Sequence, residues 1–209
     1  MKIVVVTNDG LKEELLAQGL KGSVEIEWLS DINTITGAAD VYIDLLFDRN
    51  RNERKKLLDK LNAGVVIIND VIETTENLSR NFVRINGWPT FLKRKIAEAS
   101  ANNEGIKSKA EQALDCFNKK IEWTPDIPGF ITARVVSTIV NEAYFSLEDE
   151  VSSREEIDTA MKLGTNYPYG PFEWSKLIDI KNIYSLLDSL HKSNTRYAAS
   201  DLLKKEATI

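Results

Sequence analysis

Short apolar runs at residues 2–6, 41–47 and 65–68 alternate with stretches of helical period in the first part of the chain. After Gly10, LKEELLAQGL suits a helix with Leu11, Leu15 and Leu16 on one side, and VEIEW at 24–28 reads as a strand. A charged helix is expected over 50–61. Strand, helix and strand in alternation predict a parallel sheet with helices on its faces. Residues 101–120 read as an amphipathic helix with Ile106, Ala110, Ala113, Leu114 and Phe117 inward. Ile121-Glu122-Trp123 is expected as the last strand, and Thr124-Pro125 as a domain boundary.

Beyond that boundary the period changes to helical. Asp126 is expected to cap a long helix with Pro128 in its first turn. Phe130, Ala133, Val136, Val140, Ala143, Tyr144 and Leu147 then form one apolar stripe. Ile131, Val135, Ile139 and Tyr144 present a second face, so this helix must be covered on more than one side. Ser153 with Glu156 reads as a capping box, Gly164 as a stop, and Gly170-Pro171 as a new start. Two more helices are expected, one carrying Ile180, Ile183, Leu186, Leu187 and Leu190, the other over 196–205.

Composition narrows the function. The 209 residues are 43% apolar and 28% charged with net charge -5, and no basic stripe gathers, so nucleic acid is not expected as a partner. A single Cys116 and a single His191 exclude an internal disulfide and a zinc site, and no metal is expected. Cys116 reads as a packed thiol and His191 as a surface or helix-end residue. No segment approaches a membrane span, and MKIVVV is too short for a signal peptide, so a cytoplasmic location is expected.

The order DIPGFITAR, then NEA, then EEIDTAMKLGTNYPYGPFE resembles the C-terminal domain of the 3-hydroxyacyl-CoA dehydrogenases. The phrase from Asp158 to Gly164, with Tyr167-Pro168 and Gly170-Pro171-Phe172-Glu173, is long and specific. DVYIDLLFD, NERKKLLDKL and VVIIND are similar to the middle of that family's Rossmann domain. The resemblance implies an α/β Rossmann-like N-terminal domain (1–123) and an all-α helical C-terminal domain (124–209). It also implies NAD as the family cofactor, an acyl-CoA-like ligand, and a homodimer formed through the helical domain.

Several positions depart from the family pattern. Where it runs GxGxxG after the first strand, this chain has Thr7-Asn8-Asp9-Gly10-Leu11-Lys12. Asn8, Asp9 and Gly10 form a degenerate phosphate turn, and Asp9 brings a negative charge to it, so no cofactor is expected. The family's acid after the second strand falls near Trp28. In the register implied for NFVRINGWPTFLKRKIAEAS, Asn86 replaces the catalytic histidine and Glu98 is its orienting glutamate. An asparagine amide hydrogen-bonds but cannot take the substrate proton. Ala133 replaces a substrate-binding asparagine, Arg134 is kept, and the family's NTSS turn falls near Asn69-Asp70-Val71-Ile72. The expectation is a diverged dimeric member with weak or no dehydrogenase activity. The alternatives are an active enzyme with an unorthodox site and a non-enzymatic assembly protein.

Overall fold

A computed structural model describes residues 1–61 and 63–209. By packing the chain divides into two units, Met1–Phe130 and Ile131–Ile209.

The first unit is built on one sheet of seven strands in the order β2-β1-β3-β4-β5-β6-β7. These are β1 (Lys2–Val6), β2 (Glu25–Leu29), β3 (Val41–Asp44), β4 (Val65–Asn69), β5 (Phe82–Ile85), β6 (Ile96–Ala101) and β7 (Lys120–Trp123). Strands β1 to β5 are mutually parallel, β6 runs antiparallel to β5, and β7 is parallel to β6. Every residue of β3 and β4 is buried, which explains why they read as unbroken apolar runs. The chain leaves β1 toward β2 and returns to β1's other side with β3. The order therefore reverses between β1 and β3, the kind of crossing where open α/β sheets bind ligands.

Helices α1 (Asp9–Leu16), α2 (Arg51–Leu58) and α3 (Lys107–Asp115) accompany the sheet. Leu11 and Leu15 of α1, Leu58 of α2, and Ala110, Ala113 and Leu114 of α3 enter its core. Burying these side chains contributes roughly 1.5–3 kcal/mol for each leucine. The α/β expectation holds. The helices are shorter than the sequence pattern suggested; Phe117, counted with α3, enters the core from the turn after it.

The second unit is all helical: α4 (Thr132–Glu148), α5 (Arg154–Thr165), α6 (Pro171–Ile178), α7 (Ile180–His191) and α8 (Asp201–Ala207). Helix α4 packs on α6, α7 and α8, with the rings of Tyr144 and Phe172 5.1 Å apart. Asn141 ties in the last segment by donating to the Ala198 carbonyl and accepting from the Ser200 amide, both at 2.9 Å. The capping box at Ser153 and Glu156 forms as expected, as does the helix start at Gly170-Pro171.

Three local expectations need correction. Helix α4 does not start at Pro128, and Asp126 does not cap it. That carboxylate accepts from the Thr75 amide (2.8 Å) and hydroxyl (2.7 Å) instead, and Gly129 and Phe130 are left-handed (φ 83° and 49°). Gly164 does not end α5; Asn166 does, in a left-handed conformation of φ 57°. Tyr144 is not on a second face of α4. Only 1% of its surface is exposed, and its hydroxyl donates to Glu206 at 2.8 Å.

The family-like phrase in this unit turns out to be structural. Asp158 accepts from the amides of Phe172 (2.8 Å) and Glu173 (3.2 Å), capping α6 from outside. The Glu173 side chain reaches back to the Gly170 amide at 2.9 Å and pairs with Lys162 at 2.5 Å.

Candidate active site

Asn86 follows the last residue of β5, and Glu98 is the third residue of β6. The antiparallel register sets Ile85 beside Ala99 and so brings Asn86 opposite Glu98. The Asn86 amide N–H donates to the Glu98 carbonyl at 3.0 Å, and its side-chain Nδ2 donates to Glu98 Oε2 at 3.1 Å. Glu98 is only 8% exposed, so it is not a solvated charge on a strand. The structure thus joins two residues twelve positions apart. A carboxamide so held offers a hydrogen bond and a fixed dipole, and it has no basic nitrogen to accept a proton.

Asn69, the last residue of β4, carries the frame of this edge. Its Oδ1 accepts from the Gly87 amide at 3.0 Å, and its Nδ2 donates to the Leu45 carbonyl at 3.3 Å. One side chain therefore ties the ends of β3, β4 and β5 together. Gly87 must be glycine, because a β-carbon there would lie 2.8 Å from Asn69 Cγ. The turn after Asn69 holds Asp70, Val71 and Ile72 and no serine.

Along the same edge lies a buried charge network that sequence reasoning missed. Arg54 grips Asp44 through two bonds of 2.7 and 2.6 Å, and Arg51 pairs with Asp70 at 2.8 Å. Arg84, with 0% exposure, pairs with Asp126 at 3.0 Å and stands 4.6 Å from the centre of the Phe130 ring. Burial pushes the Asp44 and Asp70 carboxyls up while their arginines oppose it, and burial lowers Arg84. Asp48 reaches solvent on one side. Desolvation on its other sides, with repulsion from Asp70, still raises it to about 6. Only alternation-breaking residues such as Arg84 hinted at this network in the sequence.

The phosphate-turn residues lie at the crossing between β1 and β3. Asn8 caps α1, its Oδ1 accepting from the Leu11 amide at 2.9 Å, while Asp9 and Gly10 are exposed in the first turn. Lys12 lies 4.7 Å from the centre of the Trp28 ring. Strand β2 continues past Trp28 to Leu29, and Asp31 is the exposed carboxylate just beyond its end. Ala133 and Arg134 belong to the other unit, in the first turn of α4. Ala133 is fully buried there, and the Arg134 guanidinium lies 5.8 Å from the Tyr197 ring centre. His191 is exposed at the end of α7, and Cys116 is half-buried with its thiol on the Gln112 carbonyl at 3.3 Å. Among the described residues no group of three His, Cys, Asp or Glu side chains could hold a metal ion, and no helix is long and apolar enough to cross a membrane.

Comparison with known proteins adds a family. The sequence profile of the 3-hydroxyacyl-CoA dehydrogenase C-terminal domain matches residues 129–208. A 3-hydroxybutyryl-CoA dehydrogenase of Clostridioides difficile is 40% identical over 205 residues, spanning 88% of this chain and 72% of that protein. A 3-hydroxyadipyl-CoA dehydrogenase of Escherichia coli is 34% identical over 167 residues, 73% of this chain and only 34% of that much longer relative. In structure, the (S)-3-hydroxybutyryl-CoA dehydrogenase of Ralstonia eutropha superposes with a TM-score of 0.76 at 17% identity. The match covers 99% of this chain and 93% of that one.

These relatives overturn the expectation that the chain needs no cofactor. Its homologues are NAD-dependent dehydrogenases, and removing a hydride requires an acceptor that no side chain supplies. The residues at the crossing fit that group. A β-carbon on Gly10 would meet nothing closer than Asn8 Oδ1 at 3.7 Å, so the backbone at the start of α1 is uncrowded there. Asp31 offers a carboxylate of the kind that takes ribose hydroxyls. Two features there oppose phosphate: the Asp9 charge, and the Asn8 carboxamide that already takes the Leu11 amide.

Proposed function

Because the chain belongs to the 3-hydroxyacyl-CoA dehydrogenase family, we propose that it is a diverged, dimeric member of it. In this reading it binds an acyl-CoA-like ligand at the carboxyl edge of the sheet and turns over 3-hydroxyacyl-CoA weakly or not at all. The observation that carries the proposal is the buried Asn86–Glu98 pair, in which a carboxamide stands where a proton acceptor is needed.

Each residue has a part in this account. Asn86 donates to Glu98 through Nδ2, which fixes its carboxamide and turns its carbonyl oxygen into an acceptor for a ligand hydroxyl. Glu98 orients Asn86 as it would orient an imidazole. Asn69 holds the strand ends that carry the pair. Gly10 and the first amides of α1 would hold the NAD pyrophosphate, and Asp31 the ribose; bound NAD would accept hydride. Losing a general base costs about 10²–10⁴-fold in rate, which leaves binding intact and turnover small. Ala133 supplies no polar group for a substrate, and Arg134 is the remaining polar candidate in that segment.

Dimerisation is supported by α4. Ile131 and Val135 are 54% and 51% exposed one turn apart, and Phe145 is exposed farther along. Apolar side chains lined up this way mark interfaces more often than solvent faces. A twofold pairing would bury the stripe against its own copy.

The test is a binding and turnover experiment with 3-hydroxybutyryl-CoA and NAD. Saturable binding with turnover near background supports the proposal. Turnover well above background that Glu98→Gln abolishes favours the active-enzyme reading, with Glu98 as the base.

A further inference from the structure

The turn from Trp88 to Arg94 connects Asn86 to Glu98, and its conformation is unusual. Thr90 is left-handed at φ 76°, a region that β-branched residues avoid. It is also buried, and its hydroxyl has no hydrogen-bond partner among the described residues. Such a conformation persists only where the surroundings over-determine it.

Two charged side chains supply that determination from separate elements. Glu14, on the last turn of α1, accepts the Thr90 amide on both carboxylate oxygens, at 2.8 and 2.9 Å, and the Lys93 amide at 3.3 Å. Lys119, in the turn before β7, is buried and donates its ammonium to the carbonyls of Leu92 and Arg94, the latter at 2.8 Å. Gln18 adds a bond to the Lys93 carbonyl at 3.0 Å. One carboxylate thus takes the turn's amides while one ammonium takes its carbonyls. Hydrogen bonds to a charged partner are about twice as strong as neutral ones.

We propose that Glu14 and Lys119 are positioning residues of the candidate site: together they fix the 88–94 turn and so hold Asn86 in register with Glu98. This rests on the reading of that pair as the centre of the site. The turn enters β5's end at Gly87, whose amide is already tied to Asn69, and leaves into β6 through Lys95, whose carbonyl accepts the Lys120 amide at 2.8 Å. With both ends fixed to the sheet, the span between them sets the offset of β6 against Asn86. Neither Glu14 nor Lys119 touches the pair, so their influence runs through the backbone.

The test reads the pair itself and needs no turnover, so its failure is distinct from failure of the functional proposal. In the labelled full chain, the Asn86 side-chain NH2 resonances report the bond to Glu98, with assignment by Asn86→Asp. Glu14→Ala and Lys119→Met are expected to move these resonances toward those of a free asparagine. Leu15→Val, which loosens the same helix without removing any of the turn's hydrogen bonds, is expected to leave them in place. The proposal is overturned if the Asn86 signal is unmoved in both variants, or if Leu15→Val moves it equally. Should the variants not fold, hydrogen exchange of the wild-type chain decides. The amides of Thr90, Lys93 and Asn86 are expected to exchange in a single opening step, and much faster exchange at Thr90 and Lys93 than at Asn86 would overturn it.

Discussion

Gly170 lies against Asp158 so closely that a β-carbon on it would stand 2.3 Å from the Asp158 carboxyl carbon. The reason is the cap on α6, for which the carboxylate must reach the Phe172 and Glu173 amides across the glycine. Gly170→Ala is therefore expected to destabilise the second unit by about 3 kcal/mol, combining overpacking with a lost cap. Urea unfolding measures this. A change within about 0.5 kcal/mol, the range of ordinary surface substitutions, would mean the contact relaxes freely.

Thr90 gives a substitution of opposite sign. Glycine adopts φ 76° without a steric penalty, so Thr90→Gly is expected to stabilise the fold by about 1 kcal/mol. The gain should show as a higher urea midpoint with unchanged slope. A loss of stability would mean that the buried methyl and hydroxyl contribute more than the backbone strain costs.

Lys119 should leave a mark on the pH profile. Burial lowers it to about 8 from 10.5, with the Glu14 charge opposing. The folded pKa is the lower one, so between about pH 8 and 10.5 the unfolded chain holds more protons. Stability linked to this group therefore rises with pH across that window and is flat below it. Lys119→Met is expected to remove that rise when its unfolding free energy is compared with wild type at pH 7.5 and 10. An identical pH dependence in both proteins would contradict it.

The cofactor turn can be tuned by charge. Asp9 is exposed beside the site that would take a pyrophosphate, and removing it as Asp9→Asn should tighten NADH binding by roughly 3- to 10-fold, less at high salt. Asp31→Ala should weaken it. Fluorescence titration of NADH measures both, and no change in either variant would move the dinucleotide away from the crossing between β1 and β3.

Much of this architecture was legible in the sequence, for physical reasons that also explain what was not. Strands β1, β3 and β4 are buried on both faces, so they read as continuous apolar runs. Strands β5 and β6 carry Arg84, Glu98 and Ser100 at buried positions and were silent as strands, because each pairs with a residue far along the chain. Asp126 looked like a helix cap because nothing local reveals that Thr75 claims its carboxylate. Tyr144 was counted both in the main stripe and on a second face, since nothing local shows that Glu206 takes its hydroxyl inside the bundle. At the site, Asn86 and Glu98 were reachable through the resemblance. Asn69 was reachable only as part of the displaced turn, and Glu14 and Lys119 not at all, because side chains that bond distant backbone follow no period.

Assembly is tested through the exposed stripe of α4. Light scattering at micromolar concentration should give twice the 23.6 kDa chain mass, and Val135→Glu should shift it to the monomer by burying charge in an apolar contact. A monomeric wild type, or a variant that stays dimeric, would remove α4 as the interface.

The account as a whole turns on the side chain at position 86. NADH formation from 3-hydroxybutyryl-CoA should be measured for the wild type, Asn86→His and Glu98→Gln under identical conditions. The account predicts wild-type turnover at or near background and a gain of about 10²-fold or more in Asn86→His, because Glu98 already stands 3.1 Å from the group it would orient. Brisk wild-type turnover that vanishes in Glu98→Gln, with no gain in Asn86→His, would contradict it.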